Sequence, residues 1–147
     1  MKIAFGCDPN ASSMKLKLMD YVKELGHEVK DFGSADPIYA NVAIDVAKAV
    51  AAKEFDRGIL VCGTGIGVSI AANKVKGAYA ACIHDAYQAQ RAELSNRANI
   101  ITMGEQVVGI EIAKVMVKEY LSGTFDMNGR SVPKVQRICD YEEEVYA

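Results

Sequence analysis

Five short apolar runs recur along the chain, at Lys2–Cys7, His27–Phe32, Arg57–Cys62, Ala78–Ile83 and Ala98–Met103. Stretches with helical spacing separate them. From Ser12 to Leu25, the residues Met14, Leu18, Tyr21, Val22 and Leu25 share one face, and Gly26 stops the turn. Tyr39–Lys53 repeats the pattern with Val42, Val46, Ala49 and Val50. Val68–Lys74, Asp85–Leu94 and Val107–Leu121 supply three more helices. Strands alternating with helices specify the α/β class, here a three-layer α/β/α sandwich around a five-stranded parallel, Rossmann-like sheet. Its crossovers are right-handed. In such sheets ligands settle beyond the carboxyl ends of the strands, where the strand order switches. That rule selects Cys7-Asp8-Pro9-Asn10, the segment Cys62–Gly67, and His84-Asp85.

A chain of 147 residues suits one domain spanning 1–147, with 123–147 a polar tail holding a basic and an acidic stretch. The formal net charge of −2 gives no basic footprint for nucleic acid. No apolar run approaches the roughly 20 residues that span a bilayer. The first residues lack the pattern of a signal peptide, so a cytoplasmic chain is expected. The four cysteines, Cys7, Cys62, Cys82 and Cys139, show neither zinc spacing nor Cys-x-x-Cys. They read as free thiols in a reducing compartment, with no metal site.

Cys62-Gly63-Thr64-Gly65-Ile66-Gly67 is the segment richest in chemistry. Its glycines allow backbone amides to approach a ligand, and the helix start that follows adds further N–H groups. Such a nest suits an anion or a developing oxyanion. The glycine spacing misses the dinucleotide fingerprint, and the Walker lysine is absent. Cys62 closes the third strand just before this nest. Two readings stand for it: a thiolate acting as nucleophile or base, and a small buried apolar residue.

The run Val61-Cys62-Gly63-Thr64-Gly65-Ile66-Gly67-Val68-Ser69-Ile70-Ala71-Ala72-Asn73-Lys74 resembles the signature of the ribose-5-phosphate isomerase B and galactose-6-phosphate isomerase family. Ile3-Ala4-Phe5-Gly6-Cys7-Asp8, Asn99-Ile100 with Gly104, and Val107-Val108-Gly109 are similar to it as well, so the likeness runs from Lys2 to about Ile138. The resemblance implies aldose–ketose isomerisation of a small phosphorylated sugar through a cis-enediolate. It casts Cys62 as the general base, Thr64 as helper at the sugar oxygens, and the amides from Gly63 through Gly65 to Gly67 as the anion hole. It places Asp8, Asn10, Tyr39, Ser69 and Asn96 around the sugar, and it implies no metal and no organic cofactor. Asp8 also reads as a helix cap.

The same resemblance implies phosphate binding by basic residues of a Gly-Arg-x-x-x-Arg segment reaching across from a second subunit. Gly129-Arg130 matches its start, Lys134 stands where the second arginine is expected, and Arg137 follows. Arg97 is a further phosphate candidate, with a surface salt bridge as its other reading. A homodimer or a dimer of dimers with shared active sites follows, the tail 123–147 packing on the partner. Departures are informative. Asp8-Pro9-Asn10-Ala11 replaces the family's Asp-His-x-Gly, and Ser95-Asn96 replaces its His-Asn pair. The missing histidine is the ring opener, and a tetrose 4-phosphate needs none. A four-carbon substrate of the erythrulose 4-phosphate type is therefore expected beside the ribose 5-phosphate type. His84 is the rival acid–base group, its other reading being a surface residue at a helix start. Cys7 ends the first strand as Cys62 ends the third, and two readings stand for it: a small residue lining the pocket floor, and a thiol that oxidation joins to Cys62. A phosphate- or nucleotide-binding module without catalysis is the alternative reading of the whole chain.

Overall fold

In the computed structural model, which describes residues 1–146, the expected sheet is present. Five parallel strands are ordered β2-β1-β3-β5-β4. They are β1 (Lys2–Cys7), β2 (Glu28–Asp31), β3 (Arg57–Cys62), β4 (Ala80–Cys82) and β5 (Ile100–Gly104). A 3-10 turn at Pro9–Ala11 follows β1. The helices are α1 (Ser12–Glu24), α2 (Tyr39–Ala51), α3 (Ile66–Ala72), α4 (Ala86–Leu94), α5 (Ile110–Ser122) and α6 (Val132–Val145). The order switches between β1 and β3, and the chain leaves both strands there on the same edge.

β1 and β3 span the residues expected from their apolar runs. β4 is shorter than the run Ala78–Ile83, because only Ala80–Cys82 pairs with β5. Alternation along the strands divides the core in two. One side packs Ile3, Phe5, Cys7, Val61, Ile101 and Met103 against α1, α4 and α5. The other packs Ala4, Leu60, Cys62 and Ile100 against α2 and α3. This second side is close-fitting: a Cβ on Gly6 would sit 2.7 Å from Val42 Cγ2, and one on Gly58 3.0 Å from Val46 Cγ1.

The relation between the two strand-end cysteines differs from expectation, and the tail holds a helix. Cys7 lies opposite Val61 in the ladder, so Cys62 is one residue further along and faces the other side of the sheet. A disulfide between Cys7 and Cys62 would have to pass through the sheet, and the reading in which oxidation joins them is withdrawn. The tail carries a 14-residue helix, α6, which lies against its own chain. Tyr79 donates to Glu142, Gly77 N–H donates to Glu142 Oε1 at 2.9 Å, and Lys76 pairs with Glu143 at 2.9 Å. Desolvation, and next the bonds to Cys139 and Glu142, push the Tyr79 phenol well above the usual tyrosine range. Ala147, the last residue of the expected tail, lies outside the described residues. No helix among the described residues is long and apolar enough to cross a membrane.

Candidate active site

The carboxyl edge of the sheet gathers most of the predicted site. Cys62 is the last residue of β3 and is 5% exposed. Gly65 N–H donates to its Sγ at 3.1 Å. Gly65 adopts φ +80°, a left-handed conformation that side-chain-bearing residues rarely take, and its position is tightly enclosed. Thr64 is exposed, and its Oγ1 accepts from Ile66 N–H at 3.3 Å. The next strand ties the bend down from behind, since Glu105 N–H donates to Cys62 O and Gln106 N–H to Gly63 O. Ser69 lies one turn into α3 and is buried.

Asp8 sits beside this bend, because its N–H donates to Val61 O at 3.1 Å. Its Oδ1 accepts from Asn10 N–H at 2.7 Å, so it does cap the short turn after β1, and Asn10 is exposed there. Tyr39 opens α2 and lays its phenol against Gly67, where a Cβ would collide with the ring and hydroxyl. Asp36 steadies that approach, taking bonds from Asn41 Nδ2 at 2.9 Å and Ile38 N–H at 2.8 Å. The Asn41 bond, and next the Ile38 amide, hold the Asp36 carboxyl below the usual range. His84 reaches the same edge at the end of β4 and is exposed. Its N–H donates to Gln88 Oε1, and Asp85 caps α4.

The remaining candidates lie at the opposite edge of the same protomer. α4 runs back antiparallel to the strands, so Ser95, Asn96 and Arg97 fall near the strands' amino ends. The Ser95 hydroxyl takes a bond from Arg91 Nε at 2.7 Å. Arg97 stacks on Phe125 and lines a cavity of about 570 Å³ with Met1, Arg57, Glu93 and Val135. Arg130 and Lys134 are exposed, and Arg137 is paired with Glu144 at 3.0 Å. One protomer therefore brings Cys62, the glycine bend, Asp8, Asn10, Tyr39 and Ser69 together, and holds Ser95, Asn96, Arg97, Arg130, Lys134 and Arg137 elsewhere. Sequence reasoning missed Thr102 and Gln106, both of which bear on the bend. Among the described residues, no three His, Cys, Asp or Glu side chains cluster as metal ligands would.

A parallel doubly wound sheet with a cysteine and an amide-rich bend at its switch point presents a site for a small ligand, and comparison with known proteins gives the family. Residues 3–138 match the model of the family described as Ribose/Galactose Isomerase. The chain belongs to that family and is an isomerase. It is 43% identical over 148 residues to D-erythrulose-4-phosphate isomerase of Pectobacterium atrosepticum, covering 98% of this chain and 97% of that one. It is 45% identical over 147 residues to ribose-5-P isomerase B of Listeria innocua, covering 98% and 99%. The structure of ribose-5-phosphate isomerase B from Clostridium thermocellum superposes with a TM-score of 0.92 at 39% identity, covering 100% of both chains.

Proposed function

We propose that this chain interconverts the aldose and ketose forms of a small sugar phosphate without a cofactor, with Cys62 as the base. The observation that carries the reading is the Gly65 N–H aimed at Cys62 Sγ, at the mouth of an amide-lined bend. The Cys62 thiolate takes the proton from C2 of the open-chain aldose, and the electron pair moves onto the carbonyl oxygen. Amides of Gly63 to Gly67 stabilise the cis-enediolate as its charge develops. The thiol then returns the proton to C1, while the C2 hydroxyl proton passes to the C1 oxygen with Thr64 as relay. Asp8, Asn10, Tyr39 and Ser69 line the sugar. Asn96 does so from a second subunit.

The phosphate is held by Arg130, Lys134 and Arg137 of a second copy of this chain, with Arg97 beside them. Support comes from their position: in one protomer they stand at the wrong edge of the sheet. The assembly is a homodimer, or a pair of them, with shared sites, and the whole of 1–147 serves as one catalytic domain. The substrate we favour has four carbons. Ser95 cannot act as an acid–base group near neutral pH, and its hydroxyl is taken up by Arg91. A tetrose 4-phosphate has no ring to open. His84 is then a helix-start residue rather than an acid.

The test is an isomerisation panel of erythrulose 4-phosphate, ribose 5-phosphate and a six-carbon sugar phosphate. Wild type turns over the four-carbon substrate best, and Cys62→Ala loses about 10²–10⁴-fold. Equal turnover of four- and five-carbon substrates removes the argument from Ser95. Unchanged activity in Cys62→Ala refutes Cys62 as the base. Mixing Cys62→Ala with Arg130→Ala subunits restores about a quarter of wild-type activity if sites are shared across a dimer. No recovery overturns the sharing.

A further inference from the structure

The glycine bend takes its shape from β5 as much as from its own residues. Thr102 is 0% exposed, in a strand otherwise made of Ile100, Ile101, Met103 and Gly104. Its Oγ1 donates to the Gly65 carbonyl oxygen at 2.7 Å. The amide of that same glycine donates to Cys62 Sγ. Gly65 is thus held at both of its polar atoms, by a hydroxyl on one side and by the reacting sulfur on the other.

Packing adds a second constraint. A Cβ on Gly65 would lie 2.7 Å from the Met103 carbonyl carbon, and one on Gly104 2.6 Å from Thr64 C. Bend and strand end meet backbone to backbone. The β3–β5 register sets Leu60 opposite Thr102 and Cys62 opposite Gly104, which brings the hydroxyl beneath the bend. A single buried hydroxyl in an apolar strand is there because it has a partner, and the partner is the carbonyl that orients the bend.

We propose that Thr102 is a positioning residue for the isomerisation: through the Gly65 carbonyl it fixes the amide that faces Cys62 and the direction of the bend's donors. This rests on Cys62 being the base. Without the hydroxyl, the Gly65–Ile66 peptide loses its anchor, the φ and ψ of Gly65 relax together, and the Gly65 N–H in the preceding peptide leaves the sulfur for part of the time. Ground-state binding of the sugar phosphate involves other groups, so the loss falls on kcat.

Thr102→Val keeps the side-chain shape and removes the donor. We expect its kcat to fall about tenfold with KM within about twofold, a smaller effect than outright loss of an oxyanion donor. Hydrogen exchange of the Gly65 N–H, followed by NMR, accelerates at least about tenfold, while β1 and β3 amides stay protected. Thr102→Ser, which retains the hydroxyl, restores both readouts. A wild-type kcat in Thr102→Val overturns the proposal whatever the exchange rate. So does a tenfold loss in Thr102→Ser, which decides the matter if Thr102→Val does not fold. Cys62→Ala is assayed alongside. Activity in that variant refutes the base, whereas an inactive Cys62→Ala with a fully active Thr102→Val refutes the positioning role alone.

Discussion

The two sides of the sheet solve different problems with the same five strands. The side facing α1, α4 and α5 is filled by large residues, among them Phe5, Leu18, Met103, Met116 and Tyr120. On the side facing α2 and α3 the strands bring Leu60 and Ile100, but the helices offer only Ala43, Ala47, Ala72 and a few valines, and Gly6 and Gly58 let α2 sit close. Thickness goes with stability and thinness with chemistry. The large-residue side removes more apolar surface from water, which is the main source of folding free energy. The small-residue side leaves backbone near the carboxyl edge where a ligand can meet amides. Cys7 and Cys62, on neighbouring strands, fall one to each side.

That contrast can be broken from both directions. The largest effect on folding is expected from Leu18→Ala, which empties a fully buried position on the thick side and costs about 2–5 kcal/mol. Denaturant titration reads the loss, and kcat of the folded fraction stays at the wild-type level. The largest displacement on the thin side is expected from Gly67→Ala, whose methyl meets the Tyr39 phenol. Tyr39 is partly exposed and swings aside, so stability changes little while kcat/KM falls up to about 100-fold. A folding loss in Gly67→Ala as large as that in Leu18→Ala would erase the distinction.

The smallest effect separates the two strand-end cysteines. Burial, the largest influence, pushes the Cys7 thiol up to about 11. The unfolded thiol ionises near 8.5. Cys7 therefore contributes stability that is complete below that value and is lost as pH rises toward 11. Cys7→Ala is expected to flatten the alkaline side of the stability profile. Peptide-resolved alkylation at pH 8 is expected to modify Cys62 before Cys7, and the reverse order would contradict their placement.

Much of this was legible in the residues. β1 and β3 are the strands whose apolar runs end abruptly at Asp8 and Gly63, and their bounds match. The glycine bend announced itself because glycine spacing and a strand-end cysteine coincide. Other features depend on distant partners. α6 has a buried Val135, but its face continues through Ile138, Cys139 and Glu142, and an acid there has meaning only once Tyr79 is opposite. Thr102 reads as an ordinary strand former until the Gly65 carbonyl is placed against it. The placement of Cys7 and Cys62 depends on the register between two strands, which the residues alone do not fix. Both end their strands, but the ladder pairs Cys7 with Val61, and parity then sends the two sulfurs apart.

The ties from β5 to the bend set an order of events during synthesis. Cys62, Gly63 and Gly65 receive bonds from Glu105, Gln106 and Thr102, about forty residues later in the chain. As the polypeptide leaves the ribosome amino end first, β1, β2 and β3 can assemble while the bend is still untied. The final shape of the bend is thus among the last features the nascent chain acquires. A chain truncated before residue 102 would carry Cys62 and its glycine bend without the strand that ties them down.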